Sequence, residues 1–536
     1  MNRLIVYEGD ADYVLPPSDG GVFFYGIGGG RPVGSQCTPL NDWRLLNRYA
    51  EQLRDEYAAW VLGHNDVWVR HRLVQDDLSL FFLTDFSCKR SELFDTYRSI
   101  CNISVLREKT QRFPVERARL VGVTRAFVTA FQSAFPGVAV ETERLRPPVV
   151  VWWRRALSDA RHFANLLLVA LSNRFQRMPR QRTERRYQQL FLSSFPNMFA
   201  ADGRERKYGG RVGSRDGFLM SILTDGLHQY VPFGAYRRHR RSVDTRDTVI
   251  DDHLRVSDVG RGLYWWFRMC GFLWRERRRR HVFMGIDVSA YTRMEWLFSR
   301  SRVSRLMSLS GAIDRALAGV SAERFIYYLH EFPYGRLFSY TTGSRHPGME
   351  RIGFQHGPAS WRKLFYFMAR GEASAQPPYL AHAPIPDRVL AEDPESRDIY
   401  CHAGYQNVDV MDRIDRLAYL EGIRPAKRPR SALIATGLHD GPAMMSELAP
   451  VCASFPDVTF LVKPHPLGRK DYLEKYRASN VVMTDQPINQ LLAEVGKVYV
   501  TYSSVGPEAR TLGLDVEVVN LPGIVNESPL LPKADS

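Results

Sequence analysis

The 536 residues are too many for one hydrophobic core and predict about two to four domains. A composition 44% hydrophobic and 24% charged excludes a disordered chain, and six scattered cysteines, with no C-x-x-C pair and no histidine at ligand spacing, argue against a zinc site or a disulfide framework. The net charge of +15, from 73 Lys plus Arg, calls for an anionic partner (nucleic acid, a membrane surface or small anions) unless it is only a solvated basic surface.

The N-terminus, MNRLIVYEGDADYV, carries too short an apolar run for a signal peptide. Residues 1–145 read as mixed α/β, with strands at Leu4–Tyr7 and Val22–Tyr25 and an amphipathic helix over Trp43–Leu62. Gly26–Gly30 (GIGGG) has the look of a phosphate loop, but Arg31–Pro32 follow where a helix should open, so it reads as a structural turn.

Residues 146–190 and 261–280 differ in character. Each has Trp-bearing apolar helical stretches flanked by arginines with few acids, the composition of a helix lying among lipid headgroups. The alternative is a core helix followed by a basic turn. Neither contains the roughly 20 apolar residues that a spanning helix needs, so a cytoplasmic protein held at the inner face of a membrane is expected. No helix-turn-helix, zinc-finger or RNP pattern supports nucleic acid as the partner.

From about residue 320 a strand–helix rhythm sets in. Strands are predicted at Phe325–Leu329, Arg351–Gln355, Ala432–Ala435, Thr459–Val462 and Lys497–Thr501, and helices at Asp409–Glu421, Pro442–Phe455, Lys470–Arg477 and Ile488–Glu494. Glu421–Arg430 reads as a linker. Such alternation predicts a parallel, doubly wound sheet, whose ligands bind beyond the carboxyl ends of its strands.

Four motifs fall at such ends. Lys463–Pro464–His465–Pro466 offers a cation and an imidazole on a stiffened turn. Ser503 and Ser504 precede a helix, making an anion seat, with Glu508 in the first turn placed to accept from a ribose hydroxyl or to cap the helix. Gly437 and Leu438, within Thr436–Gly441, permit close approach of a diphosphate or nucleoside. His356 lies in the turn Gln355–Pro358.

K-P-H-P followed by a strand ending in Y-S-S and a helix carrying E-A resembles the donor domain of GT-B glycosyltransferases. The nearest groups use cytidine nucleotides: bacterial sialyltransferases, β-Kdo transferases and CDP-glycerol glycerophosphotransferases. Tyr327–Arg336 (YYLHEFPYGR) and Arg351–Pro358 (RIGFQHGP) are similar to bacterial surface-carbohydrate biosynthesis proteins. The resemblance spans roughly residues 320–520. It implies an α/β chain of GT-B type, with two Rossmann-like domains facing a central cleft. An acceptor-side domain would cover 1–345, bearing the basic helical insertions, and a donor domain 346–536.

It also implies that His465, Pro466, Ser503 and Ser504 contact the donor phosphate. No D/E-D/E-G base motif is present, which puts sialic acid in doubt. The expected reaction is transfer of a 2-keto acid sugar, such as Kdo or another ulosonic acid, from a CMP-linked donor to a surface glycan or lipid-linked acceptor. A CDP-linked polyol-phosphate transferase, or a non-catalytic scaffold of an assembly complex, is the alternative. Lys463, His465, Ser503 and Ser504 would meet the leaving phosphate, and a carboxylate near the sugar would come from Glu331 or Asp202. In the polyol-phosphate reading His356 would serve as acceptor base. Asp251–Asp252 invites comparison with a metal-binding acid pair, but no nucleotide fold is read before it, and metal-independent transfer with no cofactor is expected.

Overall fold

A strand in a parallel sheet is covered on both faces, so it is apolar throughout instead of alternating. Val22–Ile27 (VFFYGI) is buried at every position, and Ser431–Ala435 (SALIA) at all but its first. The computed structural model describes every residue except 1, 18–19, 35, 148–151, 176–184, 201, 207, 209, 224–230, 244–246, 329–331, 356, 426–429, 467, 469 and 534–536.

Three parallel sheets of five or more strands form among the described residues. The first contains Arg3–Glu8 (β1), Val22–Ile27 (β2), Thr38–Pro39 (β3), Arg117–Val121 (β4) and Ala139–Glu143 (β5), in the order β3-β2-β1-β4-β5. The second contains Arg185–Ser194 (β6), Gly217–Ser221 (β7), Thr248–Val249 (β8), Val320–Tyr327 (β9), Glu350–Phe354 (β10), Arg388–Ala391 (β11) and Val408–Val410 (β12), ordered β8-β7-β6-β9-β10-β11-β12. The third contains Ser431–Ala435 (β13), Thr459–Lys463 (β14), Val481–Met483 (β15), Lys497–Val500 (β16) and Asp515–Val518 (β17), ordered β15-β14-β13-β16-β17.

The α/β class with parallel Rossmann-like sheets is therefore what the chain adopts, with a third sheet beyond the two expected. The change of unit expected at 345/346 falls inside the second sheet, where β9 and β10 pair in register from Arg324↔Glu350. The helix Pro333–Arg345 is the crossover of that βαβ unit, so the chain does not leave the sheet there. The next sheet begins only at β13.

Helices that position the rest are Thr96–Gln111 (α1), Trp152–Phe175 (α2), Val256–Glu276 (α3), Ser289–Leu317 (α4), Gly441–Ser454 (α5) and Val505–Thr511 (α6). Most of α4 is buried, including two guanidinium groups. Arg300 lies 3.4 Å from Asp159, and Arg302 donates to Asp85 at 2.8 Å. Cations buried this deeply persist only when paired. The α3 start is fixed by Asp258, which accepts from the Arg255 amide at 2.8 Å.

Two expected helices differ. Val408–Val410 is an edge strand paired with β11, and Asp415–Leu420 is a 3-10 turn. Ile414, Leu417 and Leu420 recur every third residue, which is the 3-10 repeat. Lys470–Arg477 likewise shortens to a 3-10 turn over Asp471–Tyr476.

Candidate active-site cleft

In the third sheet the chain adds β14 and β15 on one side of β13, then returns to lay β16 on the other. A crevice opens at such a switch, above the carboxyl ends of the two strands where the direction changes. The turn after β13, Thr436–Asp440, sits at that point, flanked by Lys463–His465 after β14 and Thr501–Ser504 after β16.

Hydrogen bonds tie the three turns together. The Thr436 amide donates to the Lys463 carbonyl at 3.2 Å, and the Thr501 hydroxyl donates to the Asp440 carboxylate. Asp440 is buried and folds back over Gly437. A Cβ there would stand 2.8 Å from Asp440 Oδ1, so any larger residue would displace that carboxylate. Burial raises the Asp440 carboxyl above its usual range, against the opposing Thr501 hydroxyl. His465 is pushed the other way: burial lowers it, exposed His439 lowers it further, and Asp440 resists. These interactions place two imidazoles and one carboxylate around the crevice. Lys463, His465, Tyr502, Ser503 and Ser504 are all half-buried, and Pro466 is exposed. Leu438 is half-buried beside them.

The helix α6 is short, and its first-turn amides are partly used within the turn. Ser503 Oγ accepts from the Val505 amide at 3.3 Å, and the Glu508 amide bonds the Ser504 carbonyl at 3.2 Å. The Glu508 carboxylate, expected to reach a ribose or cap the helix, meets the N-cap residue Ser504 and also stands in a bridge. It accepts from Tyr419 Oη at 2.5 Å and lies 3.4 Å from Arg416, whose guanidinium also clasps Glu392 at 2.5 Å and 2.6 Å. Glu392 directly follows β11. Arg416 thus joins the carboxyl edge of the second sheet to that of the third, and the two edges face each other.

The expected sugar-side groups fare unevenly. Glu331 and His356 lie outside the described residues, beyond the ends of β9 and β10. Asp202 is exposed and serves its own loop, accepting from the Arg204 amide at 3.0 Å and pairing with the Arg204 guanidinium at 3.8 Å. The carboxylate this loop buries is Glu205, which takes hydrogen bonds from Ser193 at 3.1 Å, Tyr328 at 3.0 Å and the Tyr208 amide at 2.6 Å. Asp251 and Asp252 also diverge. The first is buried against the Ile222 amide, and the second pairs with Arg240 at 2.6 Å.

Several groups around the cleft escaped sequence reasoning. Glu527 accepts from Ser91 at 2.9 Å; burial raises its carboxyl to about 7, Lys363 opposes, and Glu92 adds to the rise. Glu8, at the end of β1, pairs with Arg98 at 3.4 Å and with Arg146; burial nonetheless raises it. Arg98 in turn senses Tyr502, so the first unit reaches the third here. An acid directly after an apolar strand was the one available signal for Glu8. Glu527 had none, because its partners come from distant segments.

The glycine turn of the first sheet is filled. The Gly28 amide donates to the Pro522 carbonyl at 3.0 Å, and Ser446 Oγ donates to the Gly29 carbonyl at 2.6 Å. A Cβ at Gly29 would lie 2.7 Å from Ala443 Cα. The GIGGG segment is therefore an interface between units, as a structural turn would allow.

No family profile matches the sequence, and no curated protein does. Among solved structures, a UDP-GlcNAc 2-epimerase from Neisseria meningitidis aligns at 12% identity, over 40% of this chain and 64% of that one, with a TM-score of 0.27. The chain thus spans less than two thirds of that protein. The wall teichoic acid polymerase TagF aligns at 10% identity over 68% and 78%, with a TM-score of 0.28. A UDP-glucosyltransferase from Polygonum tinctorium aligns at 12% over 63% and 81%, with a TM-score of 0.30. Similarity this low identifies no shared activity. The functional reading rests on the chain's own sheets and turns.

Proposed function

We propose that the chain transfers a glycosyl group from a nucleotide-linked donor, whose phosphate sits at the three turns of the third sheet. The observation that carries this reading is the meeting of Thr436–Asp440, Lys463–His465 and Thr501–Ser504 at one switch point, facing the second sheet across Arg416. As the bond to the leaving nucleotide breaks, charge builds on its phosphate. Lys463 supplies a cation, His465 a ring N–H, and Ser503 and Ser504 two hydroxyls, all preorganised before the charge appears. His465 is held below its ordinary pKa, so it acts as a neutral donor until an anion arrives and raises it. Gly437 and Leu438 would line the nucleoside side, while Glu508 holds the first turn of α6 through Tyr419 and Arg416.

The donor we propose is CMP-linked, carrying a 2-keto acid sugar such as Kdo or another ulosonic acid, with a surface glycan or lipid-linked acceptor. The acceptor side is the carboxyl edge of the second sheet. Glu331 is the carboxylate we assign to the sugar, since Asp202 is spent on its own loop. In this reading the acceptor-side unit extends through β12, and the donor unit starts at β13.

Thermal-shift and calorimetric titration with CMP, CDP and UDP test this directly. CMP should stabilise the protein, and His465→Ala or Ser504→Ala should weaken binding by roughly tenfold to a hundredfold, the worth of one charge-assisted hydrogen bond. Stabilisation by UDP alone would overturn the cytidine assignment. Tighter binding of CDP, with activity lost in His356→Ala and kept in Glu331→Gln, would favour a polyol-phosphate donor. Indifference to all three nucleotides would leave a scaffold.

A further inference from the structure

We infer that α2 and α3 together form a docking surface for an anionic lipid bilayer. This goes beyond the transfer reading and does not depend on it. The two helices lie side by side and antiparallel, as three contacts show. Trp266 Nε1 donates to Asp159 at 3.0 Å, and Asn173 Nδ2 donates to the carbonyls of Asp251 and Leu254 at 2.7 Å and 3.3 Å. Their inner faces are buried against α4, where Gly262 lets Ser304 and Phe163 close in.

Their outer faces carry what a soluble surface normally hides. On α3, Leu263, Phe267 and Trp274 recur at helical spacing on the exposed side, with Phe267 66% and Trp274 67% exposed. On α2, Trp153, Leu157 and Leu168 do the same, with Trp153 56% exposed. In the antiparallel register Trp153 stands level with the Trp274 end of α3. Among the described residues, half of the large apolar side chains left exposed belong to these two helices. Exposed apolar side chains concentrated on one helix pair in this way mark an interaction site.

The charge identifies the occupant. Every carboxylate of the two helices is withdrawn: Asp159 and Asp258 are buried, and Glu276 is held by His71 at 2.6 Å and Arg279 at 3.3 Å. Arg154, Arg161 and Arg174 border the α2 stripe, and exposed Arg275 and Arg277–Arg280 close the end of α3. Arg277 stacks on Trp274 at 3.7 Å, carrying its charge at the rim of the apolar face. Aromatic side chains backed by arginines, with no exposed acid between them, match the acyl–headgroup boundary of an anionic leaflet. A second copy meeting this face with its own α2 and α3 would bring the same cations and no exposed anions.

Flotation of the full chain with vesicles of phosphatidylcholine alone, or with phosphatidylglycerol added, tests this. Binding should need the anionic lipid and fall with added salt. Neutralising Arg277–Arg280 to Gln should cost roughly tenfold or more, at about fivefold per unpaired surface cation. Phe267→Ser with Trp274→Ser should also release the protein from vesicles. Both variants change exposed side chains, so melting temperature and nucleotide titration should match the parent and separate this proposal from the donor site. Equal binding to neutral vesicles, no binding at all, or retention by both variants would overturn it. So would a dimer in light scattering that these variants dissociate.

Discussion

Two glycine-bearing turns follow strands of parallel sheets in this molecule, and they have opposite fates. Gly26–Gly30, at the end of β2, is packed shut by α5 and the Pro522 carbonyl, whereas Thr436–Gly441 after β13 has polar neighbours on both sides and exposes His439. Glycine alone decides neither outcome. It permits close approach, and the neighbouring strands determine whether backbone or ligand comes close. The first turn is structural, and the second carries the proposed site because only it stands at a switch point facing another sheet's carboxyl edge.

The sharpest way to break that contrast is to remove the bridge that joins the second and third sheets. Arg416→Ala would leave Glu392 and Glu508 facing each other without a cation, and should cost about 3 kcal/mol of stability by chemical denaturation. A change under about 0.5 kcal/mol would mean the two edges are not coupled. Gly29→Ala should cost about 1–3 kcal/mol, because the new methyl meets the Ala443 backbone, which cannot rotate away. The same substitution should leave nucleotide affinity per folded molecule unchanged.

The cleft also has a pH signature. Glu527 titrates near 4.5 when unfolded and at about 7 when folded, so the folded protein holds the extra proton between those values. Its contribution is greatest below pH 4.5 and is lost as pH rises through about 7. Glu527→Gln should flatten the melting profile across that window and raise stability at pH 8 by up to about 3 kcal/mol. An unchanged slope would assign the pH dependence elsewhere. The smallest effect belongs to Asp202→Ala, where stability should stay within about 0.5 kcal/mol and nucleotide binding should not move, since this carboxylate is exposed.

Three strands of the third sheet, β13, β14 and β16, were legible in the sequence because they are short apolar runs, each ending in a turn with its own chemistry, whereas the three-residue β15 and the charge-alternating β17 (DVEV) were not. Placement of Lys463, His465, Ser503 and Ser504 at strand ends followed from that pattern. The first sheet was only half visible: β4 (RARLV) and β5 (AVETE) alternate charge with apolar residues, because their solvent-facing positions hide the parallel pattern. The 345/346 boundary cut a βαβ crossover whose register only the fold reveals. Glu508 illustrates a different limit. Its place in the first helical turn was clear, but Arg416 and Tyr419 come from far away in the chain and add a bridge that the local sequence does not show.

The most direct measurement is the imidazole titration of His465, followed by NMR with and without CMP and assigned by comparison with His465→Ala. Burial and His439 hold this ring below its ordinary value, so a phosphate seated among the three turns must raise it. A rise of roughly one unit, lost in Ser504→Ala, is the predicted result. A His465 titration indifferent to saturating CMP would contradict the placement of the donor phosphate.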